Sequence, residues 1–199
     1  IYAVFSPDNG ALVRYKGETI VKTPMNYNLA IEIAKDIISV PNCEVLLSGE
    51  KTAYIMPKTE EYLIRMTKVV QYKTTIIKSL DEIQEDILKV SVCDLSGIAN
   101  SEKYFADKWS DKAAAAVSGD QYMDFMDLCV SKGDALKKVQ KIYGIDRSEC
   151  MAFGDNYNDC EMLKQAEFSY AMASAADDIK KNALYVTDSV EKILRGELL

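Results

Sequence analysis

Residues 151–163 read MAFGDNYNDCEML, and this stretch decides the fold class. It begins inside an apolar run, Cys150 to Phe153, and returns to an apolar helical spacing at Met162 and Leu163. Farther along, the apolar runs EFSYAM (167–172) and ALYVT (183–187) alternate with helical patterns at AADDIKKN (175–182) and at 190–194. Short strands that alternate with helices predict a parallel sheet covered on both faces. Ligands bind such sheets at the carboxyl ends of the strands.

The middle of the chain, from about residue 23 to about residue 121, has a different pattern. Helical spacing occurs at 29–40 and at 60–70, and strand-like runs are CEVLLS (43–48), TAYIM (52–56), TTIIK (74–78), ILKVSVCD (87–94) and AAAAVSGDQYMDFMD (113–127). Gly49-Glu50 and Gly119-Asp120 stand where hairpin turns are expected. This α+β pattern predicts a domain at 23–121 inserted into a core that is formed by 1–22 and 122–199.

Composition excludes several classes of function. The chain has 24 Lys and Arg against 31 Asp and Glu, a net charge of −7 that argues against nucleic-acid binding. It has no histidine, so Ser-His and Cys-His pairs are excluded and any metal must be held by oxygen, which favours Mg²⁺ or Ca²⁺. No apolar run is long enough to span a membrane. Five widely spaced cysteines suit reduced thiols, and we expect a cytoplasmic protein without a membrane partner.

The acidic turn after Phe153 has two interpretations. Gly154 allows a tight turn that aims the carboxylate of Asp155 over the sheet edge, and Asn158 and Asp159 fall in the first turn of the next helix. Clustered carboxylates need a cation or hydrogen-bond donors between them, which fits Mg²⁺. Asn158 with Glu161 also has the spacing of a capping box, and acidic residues stabilise any helix N-terminus. From these residues alone, the metal site and the helix cap both stay open.

A second stretch, VSKGDAL (130–136), adds a cation. Ser131 and Asp134 have capping-box spacing, so Lys132 becomes the first residue of a helix that ends at Gly144. A lysine at this position opposes the helix dipole at a cost of up to about 1 kcal/mol. Together with the free N–H groups of the first turn, however, Lys132 makes an anion site.

These stretches carry a family resemblance. SKGDAL (131–136) followed by FGDNYNDCEML (153–163) resembles the third and fourth motifs of the haloacid dehalogenase (HAD) superfamily, in particular its Cof-type sugar-phosphate phosphatases. PDNGALV (7–13) is similar to the NGA turn that precedes the inserted cap of these proteins. The resemblance implies an α/β fold: a Rossmannoid parallel-sheet core, N-terminally truncated here, with an inserted α+β cap of the C2 type.

The resemblance also implies roles for individual residues. Asp155 corresponds to the Mg²⁺ ligand of the fourth motif, and Asn158 to a contact with the substrate phosphate. Asp159 corresponds to the carboxylate that orients the site from behind. Lys132 corresponds to the catalytic lysine that binds the phosphoryl group and neutralises its charge. Asn9 is expected at the rim of the site.

The implied activity is Mg²⁺-dependent hydrolysis of a small phosphorylated metabolite, such as a sugar phosphate, through an aspartyl-phosphate. The DxDGT or DxDGS motif that carries the nucleophile is absent, as is the Thr or Ser of the second motif, and Met172 to Ala175 replace the usual MGNA. We therefore expect an N-terminal segment before IYAVF (1–5) to carry the nucleophile. The 199-residue chain by itself is expected to lack turnover, to bind Mg²⁺ weakly and, through an unpaired strand edge, to form homodimers.

Two alternatives stay open. The missing nucleophile is also consistent with a non-catalytic binding or interaction protein that keeps the HAD fold. Phosphosugar mutases use the same motifs with a related cap, so isomerisation of a sugar phosphate is a further alternative.

Overall fold

A computed structural model of the chain describes residues 8–69 and 73–196, so the strand predicted at IYAVF (1–5) lies outside the described residues. The chain separates into two compact units. The split unit consists of the described parts of Ile1–Val21 and Val130–Leu199, and the inserted unit is Lys22–Cys129. A two-stranded sheet of β1 (Leu12–Tyr15) and β2 (Glu18–Lys22) leads from the first into the second.

The inserted unit is built on a six-stranded sheet. Its elements are α1 (Tyr27–Ser39), β3 (Cys43–Ser48), β4 (Ala53–Ile55), α2 (Glu60–Ile64), β5 (Thr74–Ile76), β6 (Lys89–Asp94), α3 (Glu102–Trp109), β7 (Ala114–Val117) and β8 (Tyr122–Met126). The strand order is β5-β4-β3-β6-β8-β7, and every neighbouring pair is antiparallel except β4 with β5. The two predicted hairpins, β3–β4 and β7–β8, are confirmed.

Alternating side chains give this sheet two apolar faces. Helix α1 begins after Asn26, whose side chain accepts the Leu29 N–H, and buries Ile33 and Ile37 completely. These residues share a buried cluster with α3 and with side chains of β3, β6 and β8. Helix α2 packs on a second cluster that includes Ile55 of β4. Fully burying one such aliphatic side chain contributes about 1.5–3 kcal/mol, so each face has its own source of stability.

The inserted unit extends beyond the boundary predicted from the sequence. The pattern placed residues 122–199 in the core, whereas β8 (Tyr122–Met126) lies between β6 and β7 in the six-stranded sheet. A strand that forms ladders on both sides is held by two sets of backbone hydrogen bonds. The unit accordingly ends at Cys129.

The split unit contains the alternating elements predicted from the sequence. They are α4 (Lys132–Tyr143), β9 (Met151–Gly154), α5 (Cys160–Gln165), β10 (Phe168–Met172), α6 (Asp177–Lys180), β11 (Tyr185–Thr187) and α7 (Val190–Leu194). Helix α4 ends at Gly144, which has the left-handed conformation that glycine favours. The three strands are parallel, as predicted, and their order is β11-β10-β9. Among the described residues, β9 pairs with β10 only, and its carboxyl end is Gly154.

The helices of both units are short. Within residues 8–69 and 73–196, none has the length and apolar character that crossing a membrane requires.

Candidate active site

The candidate site begins where β9 ends. The side chain of Asp159 folds back over Gly154, and a Cβ on that glycine would lie 2.5 Å from Asp159 Cβ. No ordinary side chain fits this space, because contacts between such carbon atoms are not tolerated below about 3 Å. The sequence predicted that Gly154 serves a tight turn. The reason in the structure is different, since glycine admits the carboxylate of Asp159.

Asp159 is the organising residue of the turn. Its side chain is 4% exposed, and Oδ2 accepts hydrogen bonds from the backbone N–H groups of Asp155 and Asn156, each at 3.0 Å. Oδ1 accepts a hydrogen bond from Lys132 Nζ at 2.5 Å. A buried carboxylate is tolerated when its charge is paired and its oxygens are hydrogen-bonded. Asp159 therefore fixes both the turn after β9 and the position of the lysine.

Lys132 is the first residue of α4, as predicted, and its side chain is partly exposed. The start of α4 lies directly against α5, since a Cβ on Gly133 would be 2.6 Å from Glu161 Cβ and 2.8 Å from its carbonyl carbon. This close approach of the two helices brings the ammonium group to Asp159. Neither helix could come so near if position 133 carried a side chain.

The helix caps differ from the predicted ones. Ser131 accepts the Asp134 N–H, but the Asp134 carboxylate pairs with Lys138 at 2.7 Å, so only half of the capping box forms. The second predicted box, Asn158 with Glu161, was wrong. The box is formed by Asn156 and Asp159, because the chain first makes a 3₁₀ turn at Tyr157–Asp159 and α5 starts only at Cys160.

The turn Asp8–Gly10 packs against Ser131, directly before α4. Asp8 and Asn9 both have positive φ, and Gly10, at φ 103°, would place a Cβ 2.5 Å from the carbonyl oxygen of Ser131. Asn158 Nδ2 donates to Asn9 Oδ1 at 2.8 Å. Asn158 Oδ1 is buried and has no hydrogen-bond partner among the described residues. The two asparagines thus join segments from opposite ends of the chain.

Asp155 is the available carboxylate of the site. It is exposed, and its side chain makes no hydrogen bond or ion pair within the part of the chain that the structure describes. Lys132, Asp155 and Asp159 line a cleft of 860 Å³ that otherwise has mostly apolar walls, including Val139 and Phe153. Asn9 and Asn158 are not among its lining residues. An anionic group that enters this cleft meets one ammonium group at its polar end.

Comparison with known proteins assigns this chain to a family. The sequence model of haloacid dehalogenase-like hydrolases matches residues 3–193. The chain belongs to the haloacid dehalogenase-like hydrolase family. The resemblance inferred from SKGDAL and FGDNYNDCEML is therefore confirmed.

Individual relatives agree with this assignment. The hydrolase chain is 26% identical to the 5-amino-6-(5-phospho-D-ribitylamino)uracil phosphatase YbjI of Escherichia coli K12, over 97% of this chain and 75% of the relative. A haloacid dehalogenase-like hydrolase from B. subtilis superimposes with a TM-score of 0.79 at 21% identity, covering 100% of this chain and 80% of that one. A sugar phosphatase of HAD subclass IIB superimposes with a TM-score of 0.77 at 18% identity, covering 95% of this chain and 73% of that one. The HAD-type α/β fold is thus established.

A magnesium ion is the cofactor that the resemblance implies for this hydrolase. Among the described residues, no group of three or more His, Cys, Asp or Glu side chains is arranged to hold a metal ion. Asp155 offers one unengaged carboxylate, whereas Asp159 is already bound to Lys132 and two N–H groups. Mg²⁺ commonly binds one or two carboxylates and keeps water for its other positions. The chain therefore fits Mg²⁺ through a single protein ligand.

The structure brings the predicted residues into two contacts, Lys132 with Asp159 and Asn9 with Asn158. The backbone N–H of Asp155 donates to Asp159 and so places Asp155 next to the first contact. Sequence reasoning missed Gly10 and Gly133, whose lack of a side chain allows the walls to meet. The signal that could have identified Gly133 was its place inside a predicted helix. Glycine there is about 1 kcal/mol less favourable than alanine, so its presence indicates a need for space.

Proposed function

We propose that this hydrolase chain is part of a Mg²⁺-dependent phosphomonoesterase that acts on a small phosphorylated metabolite such as a sugar phosphate. The observation that carries the proposal is the cleft that Lys132 and Asp155 share. A partly exposed ammonium and an unengaged carboxylate meet there at the carboxyl end of β9. The named phosphatases among the relatives support the same class of reaction.

In this proposal each residue has a distinct task. Lys132 binds phosphoryl oxygens and stabilises the negative charge that the phosphoryl group carries during transfer. Asp159 holds the ammonium in place and fixes the backbone of Asp155. Asp155 would hold Mg²⁺, and the ion would supply charge neutralisation for the phosphoryl group. Asn158 contacts the phosphate and Asn9 supports it, which requires Asn158 to turn its amide toward the cleft.

The attacking group is a further carboxylate. Its oxygen forms a bond to phosphorus while the bond from phosphorus to the substrate oxygen breaks, and the substrate leaves as an alcohol with a proton from an acid of the same segment. Water then attacks the phosphorus of the acyl-phosphate, the bond from phosphorus to the carboxylate oxygen breaks, and phosphate is released as the carboxylate is restored. Asp159 is unsuited to this task, since its oxygens accept three hydrogen bonds. We therefore assign the nucleophile to a segment outside the described residues and expect no turnover from the 199-residue chain alone.

The test measures phosphate release from a panel of sugar phosphates by the complete gene product that contains this chain, with and without Mg²⁺. Lys132→Ala and Asp155→Ala are each expected to lower kcat/KM by at least about tenfold, as loss of a group that stabilises the transition state does. Lys164→Ala, an exposed lysine on α5, is the matched control and should leave the rate unchanged.

Four outcomes would contradict the proposal. Unchanged rates in both variants would reject the site assignment. Binding of a sugar phosphate without phosphate release would favour the non-catalytic alternative, and an isomerised sugar phosphate as the product would favour the mutase. Turnover by the purified 199-residue chain, with its mass verified, would reject the assignment of the nucleophile.

A further inference from the structure

The inserted unit contains a pocket of its own. It has a volume of 580 Å³ and lies between the loop after β6 and the turn that joins β7 to β8. Its walls combine a guanidinium group with small polar side chains and an aromatic ring, and the residues that matter here are Arg65, Ser96, Gly97, Ser118, Gln121 and Tyr122.

Both loops of the pocket are held in place by hydrogen bonds. The buried carboxylate of Asp94 accepts the N–H and the hydroxyl of Ser96, at 3.0 and 2.6 Å, and the hydroxyl of Ser101 at 3.0 Å. On the other side, the Ser118 N–H bonds the carbonyl of Tyr122 at 2.9 Å. Gln121 Nε2 donates to the carbonyl of Leu95 at 2.7 Å and so connects the two loops. The pocket is therefore built before any ligand arrives, which lowers the entropic cost of binding.

Among the described residues that line the pocket, Arg65 is the one cation. Its Cζ lies 5.6 Å from the centroid of the Tyr122 ring, and it stands where α2 changes into a π-helical turn, Arg65–Val69. Such π-turns occur frequently at functional sites. The exposed carboxylate of Asp120 also lines the pocket, but within the described part of the chain Arg65 forms no ion pair with it or with any other acid.

The guanidinium group also has an unsatisfied donor. Arg65 Nε is shielded from solvent and has no hydrogen-bond acceptor among residues 8–69 and 73–196. A buried donor without an acceptor destabilises a protein, and native structures contain few of them. An oxyanion bound at the guanidinium group would supply both the missing acceptor and the missing negative charge.

We propose that this pocket of the inserted unit binds a small oxyanion, a carboxylate or phosphate group, through Arg65. The planar guanidinium presents paired donors that match two oxygens of one such group. The Tyr122 ring lies beside the guanidinium, with its centroid 5.6 Å from Cζ. The site belongs to the inserted unit alone, so it stands or falls independently of the phosphatase proposal.

The test titrates the full 199-residue chain with inorganic phosphate and, separately, with succinate, at constant ionic strength, and follows the ¹H–¹⁵N NMR spectrum. The reporters are the backbone amides of Gly97 and Gly119 and the Arg65 Nε–H signal, which lie in or line the pocket. Saturable shifts of these signals are expected with at least one probe, and the probe that saturates identifies the oxyanion. Phosphate bound in the split unit would shift the amides of Gly133 and Asp155 instead.

Variants then assign the interaction to the guanidinium. Arg65→Met should weaken binding by at least roughly tenfold, because the charged hydrogen bonds are lost. Arg65→Lys keeps the charge without the planar fork and should weaken binding by a smaller factor. Lys68→Met, an exposed cation of the same π-turn, should bind as the parent chain does.

Two results would overturn the proposal. One is the absence of saturable shifts in the parent chain with both probes. The other is binding that persists unchanged in Arg65→Met. If Arg65→Met fails to fold, the titrations of the parent chain and of Arg65→Lys still test the proposal. Unchanged binding by Arg65→Lys would contradict it, because the planar guanidinium would then not be what binds the oxyanion.

Discussion

At the scale of single residues, the candidate site depends on glycines that leave room for atoms of a neighbouring segment. Gly154 admits Asp159, Gly133 admits Glu161 and Gly10 admits Ser131, each where a Cβ would lie within 2.6 Å of another atom. The sequence does not identify these partners. Gly133–Glu161 and Gly10–Ser131 are far apart along the chain, and the contact of Gly154 with Asp159 depends on how the turn between them folds. The sequence pattern shows only that a glycine occurs where another residue would be expected, and it does not show which residue contacts that glycine.

Gly133→Ala tests this close approach. In an isolated helix the change would stabilise the helix by up to about 1 kcal/mol, because alanine has a higher helix propensity than glycine. Here we expect the opposite sign, a loss of about 1–3 kcal/mol in the free energy of unfolding, since the added methyl group meets Glu161.

Urea unfolding of the 199-residue chain measures this difference. Lys137→Ala, an exposed position on the same helix, is the matched control and should change stability by less than about 0.5 kcal/mol. Stabilisation by Gly133→Ala would contradict the contact.

At the scale of secondary-structure elements, a carboxylate joins α1 to α3. Asp36, whose side chain is 8% exposed, accepts hydrogen bonds from Tyr104 Oη, Lys108 Nζ and Trp109 Nε1 at 2.9, 2.5 and 2.8 Å. Burial alone would raise the pKa of Asp36, but the hydrogen bonds from Lys108, Trp109 and Tyr104 outweigh it and lower the pKa below its ordinary value of 3.8. The ionised form therefore stabilises the packing of the two helices.

Asp36→Asn is expected to lower the free energy of unfolding at pH 7 by about 1–3 kcal/mol. The reason is that a neutral amide replaces a buried carboxylate that accepts hydrogen bonds from one charged and two neutral donors. Since the folded-state pKa is lowered, the contribution is fully present above pH 3.8. It disappears as the pH falls through the folded-state pKa, so the difference between parent and variant should shrink in acid.

Chemical unfolding at a series of pH values measures this dependence. Asp107→Asn provides the control, since Asp107 and Lys103 form an exposed pair with side chains 64% and 86% accessible. Removing such a pair usually changes stability by less than about 1 kcal/mol. An Asp36→Asn effect as small as the control, or one that grows toward low pH, would contradict the assigned role.

At the scale of the whole molecule, the chain forms two units with separate buried clusters. The inserted unit has one cluster on each face of its sheet, and the split unit has its own clusters around α4 and α5. A unit with its own core is able to fold alone. Homodimer formation, expected from an unpaired strand edge, stays a prediction, as do the cytoplasmic location and the absence of a nucleic-acid partner.

Two fragments test this division. Residues 22–129 are expected to unfold cooperatively and to give a dispersed NMR spectrum, because they contain the complete six-stranded sheet. Residues 22–121 end where the sequence placed the boundary and lack β8, which leaves β6 and β7 without their shared neighbour. This shorter fragment should aggregate or stay unfolded, and equal stability of the two would contradict the observed boundary.

The sequence by itself determined much of the split unit and of the site's composition. Local chemistry encodes these features: apolar spacing predicts the helices and strands from Lys132 to Leu194, and Gly144 predicts where α4 ends. The motifs around Lys132, Asp155 and Asp159 indicated the family, which the comparison confirmed. None of these inferences required knowledge of which distant residues touch.

Tertiary structure decided the rest, because it depends on contacts between residues that are distant in sequence. The place of β8 follows from its pairing with β6 and β7, and the box at Asn156 follows from the 3₁₀ turn that forms before α5. That Arg65 Nε is buried without an acceptor among the described residues becomes visible only once the loops around it are folded. Periodicity along a chain fixes which elements form, whereas packing in three dimensions fixes which side chains are left free to bind.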